Sequence, residues 1–183
     1  DPHKTQAGPL SGQPALVFSR LLSYESMITG KPSPDLALGM PEQPDAQTLI
    51  FRINPEARWH DRDPLNGRAV TARDVEFSLR RQMDGGPSFV RKAQWANIES
   101  IEVSDADAHS LNVKLKAPQA AIVNAFADVN SFIVAPELVD KGRDFATDFQ
   151  VGSGPFRWVE WSEGKFASGA RNTKRDGGNE RRS

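Results

Sequence analysis

The chain contains no cysteine. That excludes disulfides, thiolate metal sites and a cysteine nucleophile, and leaves the compartment open. It also lacks any apolar run long enough to cross a bilayer, and tyrosine occurs once, as Tyr24. No apolar stretch of the secretory-leader kind stands behind Asp1-Pro2-His3-Lys4, which fits either a cytosolic protein or one whose targeting segment has been removed. A basic excess is missing too. The net charge is −1, and residues 162–183 hold six Lys or Arg against three Asp or Glu, so the preceding residues sum to −4. A body of that sign offers no broad basic surface, and the tail interleaves no aromatics with its cations, so nucleic acid is not expected as a partner.

What is present is a chain of 183 residues, long enough to bury roughly 70% of its unfolded surface. Local signals are densest over residues 49–82. Leu49, Phe51 and Ile53 alternate with Ile50, Arg52 and Asn54, the period of a strand with one face more deeply buried. Pro55 ends that strand, and Asp61, Asp63, Pro64, Asn66 and Gly67 supply turn chemistry. Thr71 suits a helix N-cap, with Asp74 three residues on at the positive end of the dipole. Val75, Leu79 and Met83 share one stripe of that helix. Phe77 lies roughly 160° away, so the pattern predicts a helix covered on two sides.

Elsewhere, Leu16, Val17, Leu21 and Leu22 suggest a short helix within residues 15–23, and the prolines at 32, 34, 41 and 44 forbid a long one after it. Gly85-Gly86-Pro87 ends the central helix. Ile98, Ile101 and Val103, then Leu111, Val113 and Leu115, predict a hairpin across an acidic turn. Residues 120–127 read as a short apolar helix, Phe132-Ile133-Val134 as a brief strand, and residues 136–141 as a helix opened by Pro136. Residues 162–183 carry almost no apolar side chains beyond Phe166, so a disordered tail is expected there.

Several residues invite a chemical reading. His60, Asp61 and Asp63 could belong to a metal-dependent hydrolase with His109 arriving from the hairpin, but adjacent residues on a turn rarely converge on one ion. Asp105, Asp107 and His109 fit a capped turn better than a metal loop. In Val151-Gly152-Ser153-Gly154-Pro155-Phe156 the glycines suggest a turn at positive φ. No lysine or helix start makes it a phosphate loop, and Ser153 lacks the spacing of a hydrolase nucleophile. His3 reads as a solvated loop histidine and Tyr24 as an aromatic half buried between segments. A stand-alone interaction module pairing through the strand edge Ser110 to Lys116 is a further alternative, with Lys114 and Lys116 as edge protection against it.

Phe51-Arg52-Ile53, Trp59-His60-Asp61 and Thr71-Ala72-Arg73-Asp74-Val75, in this order and spacing, resemble the solute-binding proteins of bacterial ABC importers, the extracytoplasmic family of oligopeptide, dipeptide and nickel binders. Asp1-Pro2-His3, Pro34-Asp35-Leu36-Ala37, Ile133-Val134-Ala135-Pro136 and Val151-Gly152-Ser153-Gly154-Pro155-Phe156 resemble further segments of it. Arg62 to Arg68 departs as a longer turn, and the likeness fades past Trp161. The resemblance implies a mixed α/β, periplasmic-binding-protein-like fold of type II, present in part. Residues 1–34 are then a first segment of the large lobe, 35–150 an inserted accessory domain, and 151–161 a strand returning to the lobe. It implies no enzyme activity and no cofactor. A peptide or other small solute and membrane permease subunits are the implied partners, with a monomer at full length and a periplasmic or cell-surface location. Half of the ligand cleft would lie outside this chain, and His3, Lys4, Thr5 and Tyr24 are the candidate ligand contacts.

Overall fold

A computed structural model of the chain describes residues 1–4, 14–26, 28–140, 145, 151–162 and 166–173. The central strand is where the alternation places it. Strand β4 (Thr48–Arg52) follows β1 (Leu22–Tyr24), β2 (Pro32–Pro34) and β3 (Glu42–Asp45), and buries Leu49 and Phe51 while Ile50 stays half exposed. Strands β5 (Ile98–Ser104) and β6 (Asp107–Leu115) form the expected hairpin, and the four-stranded antiparallel sheet runs β3-β4-β6-β5. Register puts Leu49 opposite Val113 and Val113 opposite Ile101, with Phe51, Leu111 and Val103 aligned in the same way one row along. These rows make one apolar face, because side chains two residues apart point to the same side.

Helix α2 (Ala72–Asp84) lies on that face; a single helical turn over residues 14–17 (α1) precedes it in the chain. It starts at Thr71, whose backbone N–H donates to Asp74 Oδ2 at 2.9 Å and whose hydroxyl reaches the same oxygen at 3.3 Å. Val75 and Leu79 are fully buried in the main core, with Met83 packed against it. Phe77 turns the other way, onto a second cluster of Val17, Phe18, Phe132 and Val134. The two-sided burial read from the sequence is therefore real. Asp74, nearly enclosed, is held by Arg68, whose Nη2 lies 2.7 Å from Oδ1 while its Nε lies 2.7 Å from Glu137 on α4 (Pro136–Asp140). Burial alone would lower the Arg68 guanidinium, but its bonds to Asp74 and Glu137 outweigh that and hold it above its ordinary value.

Helix α3 (Ile122–Ala127) packs into the same core, its Phe126 ring tilted against Phe51 and Trp95 with ring centroids 4.7 and 5.2 Å apart. Leu21, Leu22 and Val151 belong to the same buried cluster as Phe51, so the core runs without a break across residue 34 and back at residue 151. Residues 132–134 form one bridge, Arg20 with Phe132, in place of a strand. The Val134 N–H donates to Ser78 Oγ at 2.9 Å, and that hydroxyl lies 3.0 Å from the Val134 carbonyl.

Three more expectations change. Residues 15–23 are not one helix: the turn closes when Phe18 N–H donates to the Pro14 carbonyl. Beyond it the chain is drawn out straight, because the Arg20 and Leu21 carbonyls accept from Leu36, Asp35 and Ala37. The tail is not disordered throughout. Phe166–Arg171 is strand β8, antiparallel to β7 (Phe156–Ser162), since backbone pairing with a neighbouring strand needs no apolar side chains of its own. Residues 174–183 lie outside the described residues. Third, the interaction edge at Ser110 to Lys116 does not exist, because β6 sits inside the sheet with β4 on one side and β5 on the other.

Candidate functional site

The first residues are the candidate ligand contacts, and their surroundings are polar and crowded. Asp1 accepts from Arg81 Nη2 at 2.6 Å and from the His3 backbone N–H at 3.0 Å. His3 is only 1% exposed. Arg81 Nη1 stands 2.7 Å from Nδ1, and guanidinium N–H can only donate, so Nδ1 accepts and the ring proton is on Nε2, which donates to the Phe132 carbonyl at 2.7 Å. Burial lowers the His3 pKa most, the Phe132 bond opposes it and the charge of Arg81 adds to the lowering, leaving it at about 3. The solvated loop histidine is thus corrected to a buried, neutral one. The reason is the pairing with Arg81 and the Phe132 carbonyl, 78 and 129 residues away, which supplies both nitrogens.

More bonds fix the same segment: Val90 N–H donates to the His3 carbonyl at 3.2 Å and Asn130 Nδ2 to the Pro2 carbonyl at 3.3 Å. Lys4 is exposed, with its ammonium 5.2 Å from the centre of the Phe89 ring. Thr5 lies outside the described residues. Tyr24 is half buried at the end of β1, and its hydroxyl reaches the Asn124 carbonyl at 3.4 Å. Among the described residues no hydrogen bond joins Tyr24 to His3 or Lys4, so the structure does not bring the candidates together into one constellation. Arg81 and Asn130 were missed. Arg81 is the last-turn cation of an amphipathic helix, and nothing local to it signals a partner at residue 1.

His60 does not fit a catalytic or metal role. Its ring joins two loops: Nδ1 accepts from the Gly152 N–H at 3.2 Å and Nε2 bonds the Gly154 carbonyl at 3.1 Å, while its own N–H donates to the Gly152 carbonyl at 2.8 Å. With both nitrogens engaged by backbone, no lone pair is left for an ion. Among the described residues no group of three or more His, Cys, Asp or Glu could hold a metal. Asp107 caps its own turn, accepting from the His109 N–H at 2.9 Å. Ser153 is fully buried, its hydroxyl has no partner among the described residues, and its carbonyl accepts from Ser19 at 3.3 Å. It is no nucleophile, since the nearby imidazole has no free nitrogen to serve as base.

The glycines of this loop are also corrected. Positive φ occurs at Asn66, Gly30 and Gly67 among the described residues, and not at Gly152 or Gly154. What both require is space: a Cβ on either would overlap the Val17 backbone, to whose carbonyl Gly154 donates at 2.7 Å. Glycine here permits close approach of two segments of the chain.

Residues 31–180 match the family described as bacterial extracellular solute-binding proteins, family 5 Middle. Among curated proteins the chain is similar to the dipeptide-binding protein DppE of Bacillus subtilis, with 31% identity over 147 residues, covering 72% of this chain and 26% of that protein. It is similar also to the periplasmic oligopeptide-binding protein OppA of Haemophilus influenzae, 34% identical over 84 residues, 46% of this chain and 14% of that one. Among solved structures, the periplasmic binding protein AgaA of A. tumefaciens in complex with agropinic acid superimposes with a TM-score of 0.80 at 28% identity, covering 94% of this chain and 33% of that one. The chain thus spans about a quarter or less of the length of the curated relatives it matches.

Proposed function

This chain belongs to the bacterial extracellular solute-binding proteins of family 5, and we propose on that premise that it is part of the solute-binding component of an ABC importer. The protein captures a peptide or similar small solute outside the cytoplasmic membrane, closes two lobes about a hinge and delivers the closed form to the permease. The observation that carries this reading is the match of residues 31–180 to one family across both the sheet core and the β7–β8 ribbon. In this reading residues 1–34 and 151–161 are large-lobe segments and 35–150 an inserted accessory domain. The protein acts as a monomer, without cofactor, chemistry or nucleic acid. Of the four candidate contacts, Lys4 and Tyr24 keep exposed surface toward a solute. His3 holds the segment in place because its ring nitrogens are both bonded.

A thermal-shift panel of peptides, nickel chelates and sugars on the full-length parent tests this. A rise in Tm with peptides is expected, and silence across the whole panel would sink the transport reading. The hydrolase alternative finds no support, since His60 holds the Gly152–Gly154 loop and no metal-binding cluster accompanies it among the described residues.

A further inference from the structure

Beyond the end of α2 the chain turns back through Gly85-Gly86-Pro87 into the 3-10 helix Lys92–Trp95, and between these elements and the start of β5 lies a groove of about 580 Å³. That volume falls within the roughly 300–1,000 Å³ usual for small-molecule sites. Met83, Phe89, Val90, Trp95 and Ile98 supply apolar lining. Trp95 and Ile98 are only 1% and 2% exposed, so they back the groove from beneath and leave its contact surface to Met83, Phe89 and Val90; the Trp95 indole N–H already donates to Gln82 Oε1 at 3.2 Å. Phe89 lies directly over Gly85, where a Cβ would overlap the ring, so the absence of a side chain at 85 sets the position of that wall.

The charged groups lining the groove are two ammonium groups and one carboxylate, Lys92, Lys116 and Asp84. Lys92 Nζ donates to the Gly85 carbonyl and Lys116 Nζ to the Ala96 carbonyl, both at 2.7 Å. Each ammonium has three N–H donors, so two remain on each after the carbonyl is served, and both lysines are held in place by backbone. An apolar lining with a surplus of fixed cationic donors complements a molecule with an apolar body and one terminal anionic group.

We propose that this groove binds an amphiphilic monocarboxylate, its chain against Met83, Phe89 and Val90 and its carboxylate between Lys92 and Lys116. The inference does not depend on the importer reading. The test is a titration of the isotopically labelled 183-residue chain with decanoate below its micellar concentration, followed by amide and indole NMR shifts. Saturable shifts clustered at Phe89, Lys92, Trp95 and Lys116 are expected, with affinity falling about tenfold in Lys92→Glu/Lys116→Glu. Both substitutions lie on the surface, and an unchanged circular dichroism spectrum checks the fold. Absence of saturable shifts at the groove, equal binding of decylammonium, or undiminished affinity in the double variant would each overturn the proposal.

Discussion

The apolar face of the four-stranded sheet with α2, and His3 with residues 151–154, are both buried but held in different ways. In the first, rows of Leu, Phe, Val and Ile meet across strands, and the stabilisation comes from apolar area removed from water. In the second, polar groups do the joining: His3 to Arg81 and Phe132, and His60 to Gly152 and Gly154. The lesson is that such clips are sensitive to protonation and to single atoms, whereas the apolar rows respond to lost volume.

Four measurements sharpen or break this contrast, in order of expected effect. Phe51→Ala removes a fully buried ring touching Phe126 and should cost about 4 kcal/mol in urea unfolding; a loss under about 1 kcal/mol would mean the sheet core is not the main source of stability. The His3 clip should respond to acid. Its folded pKa, about 3, lies below the ordinary 6.5, so the unfolded chain binds the extra proton. Stability is therefore complete above about pH 6.5 and is lost as pH falls toward 3, by about 3 kcal/mol between pH 7 and pH 4. His3→Asn should flatten that part of the pH profile; an unchanged profile would refute the burial of a neutral imidazole.

Gly152→Ala should cost about 2–3 kcal/mol by forcing the loop off Val17, while Gly86→Ala, with open space around it, should leave Tm unmoved. Equal effects at both positions would undo the close-approach argument. Smallest is His60→Phe, which keeps a ring but leaves the Gly152 N–H without its acceptor, for about 2 kcal/mol. Hydrogen exchange at Gly152 should quicken in that variant, and protection equal to the parent would show that the clip contributes nothing.

The contrast also explains what the sequence made legible. Strand β4, helix α2 and the β5–β6 hairpin are written in periodic apolar residues, so spacing alone identifies them. The two-sided burial of α2 was legible for the same reason, through Phe77. His3 was not, because its partners lie 78 and 129 residues away and no local pattern encodes a pairing across that distance. The Gly152-Ser153-Gly154 spacing signalled a constrained loop, but a glycine needed for φ and one needed for space look identical in sequence. β8 escaped because a strand paired through its backbone can be poor in apolar residues.

The hydroxyl of Ser78 has a consequence on a different scale, that of time. Among the described residues no strand pairs with Val134, yet its amide and carbonyl meet one oxygen on a helix buried between two clusters. That amide is released only when the helix lifts off, so a segment that looks irregular should exchange its proton as slowly as the sheet and report the global opening of the molecule.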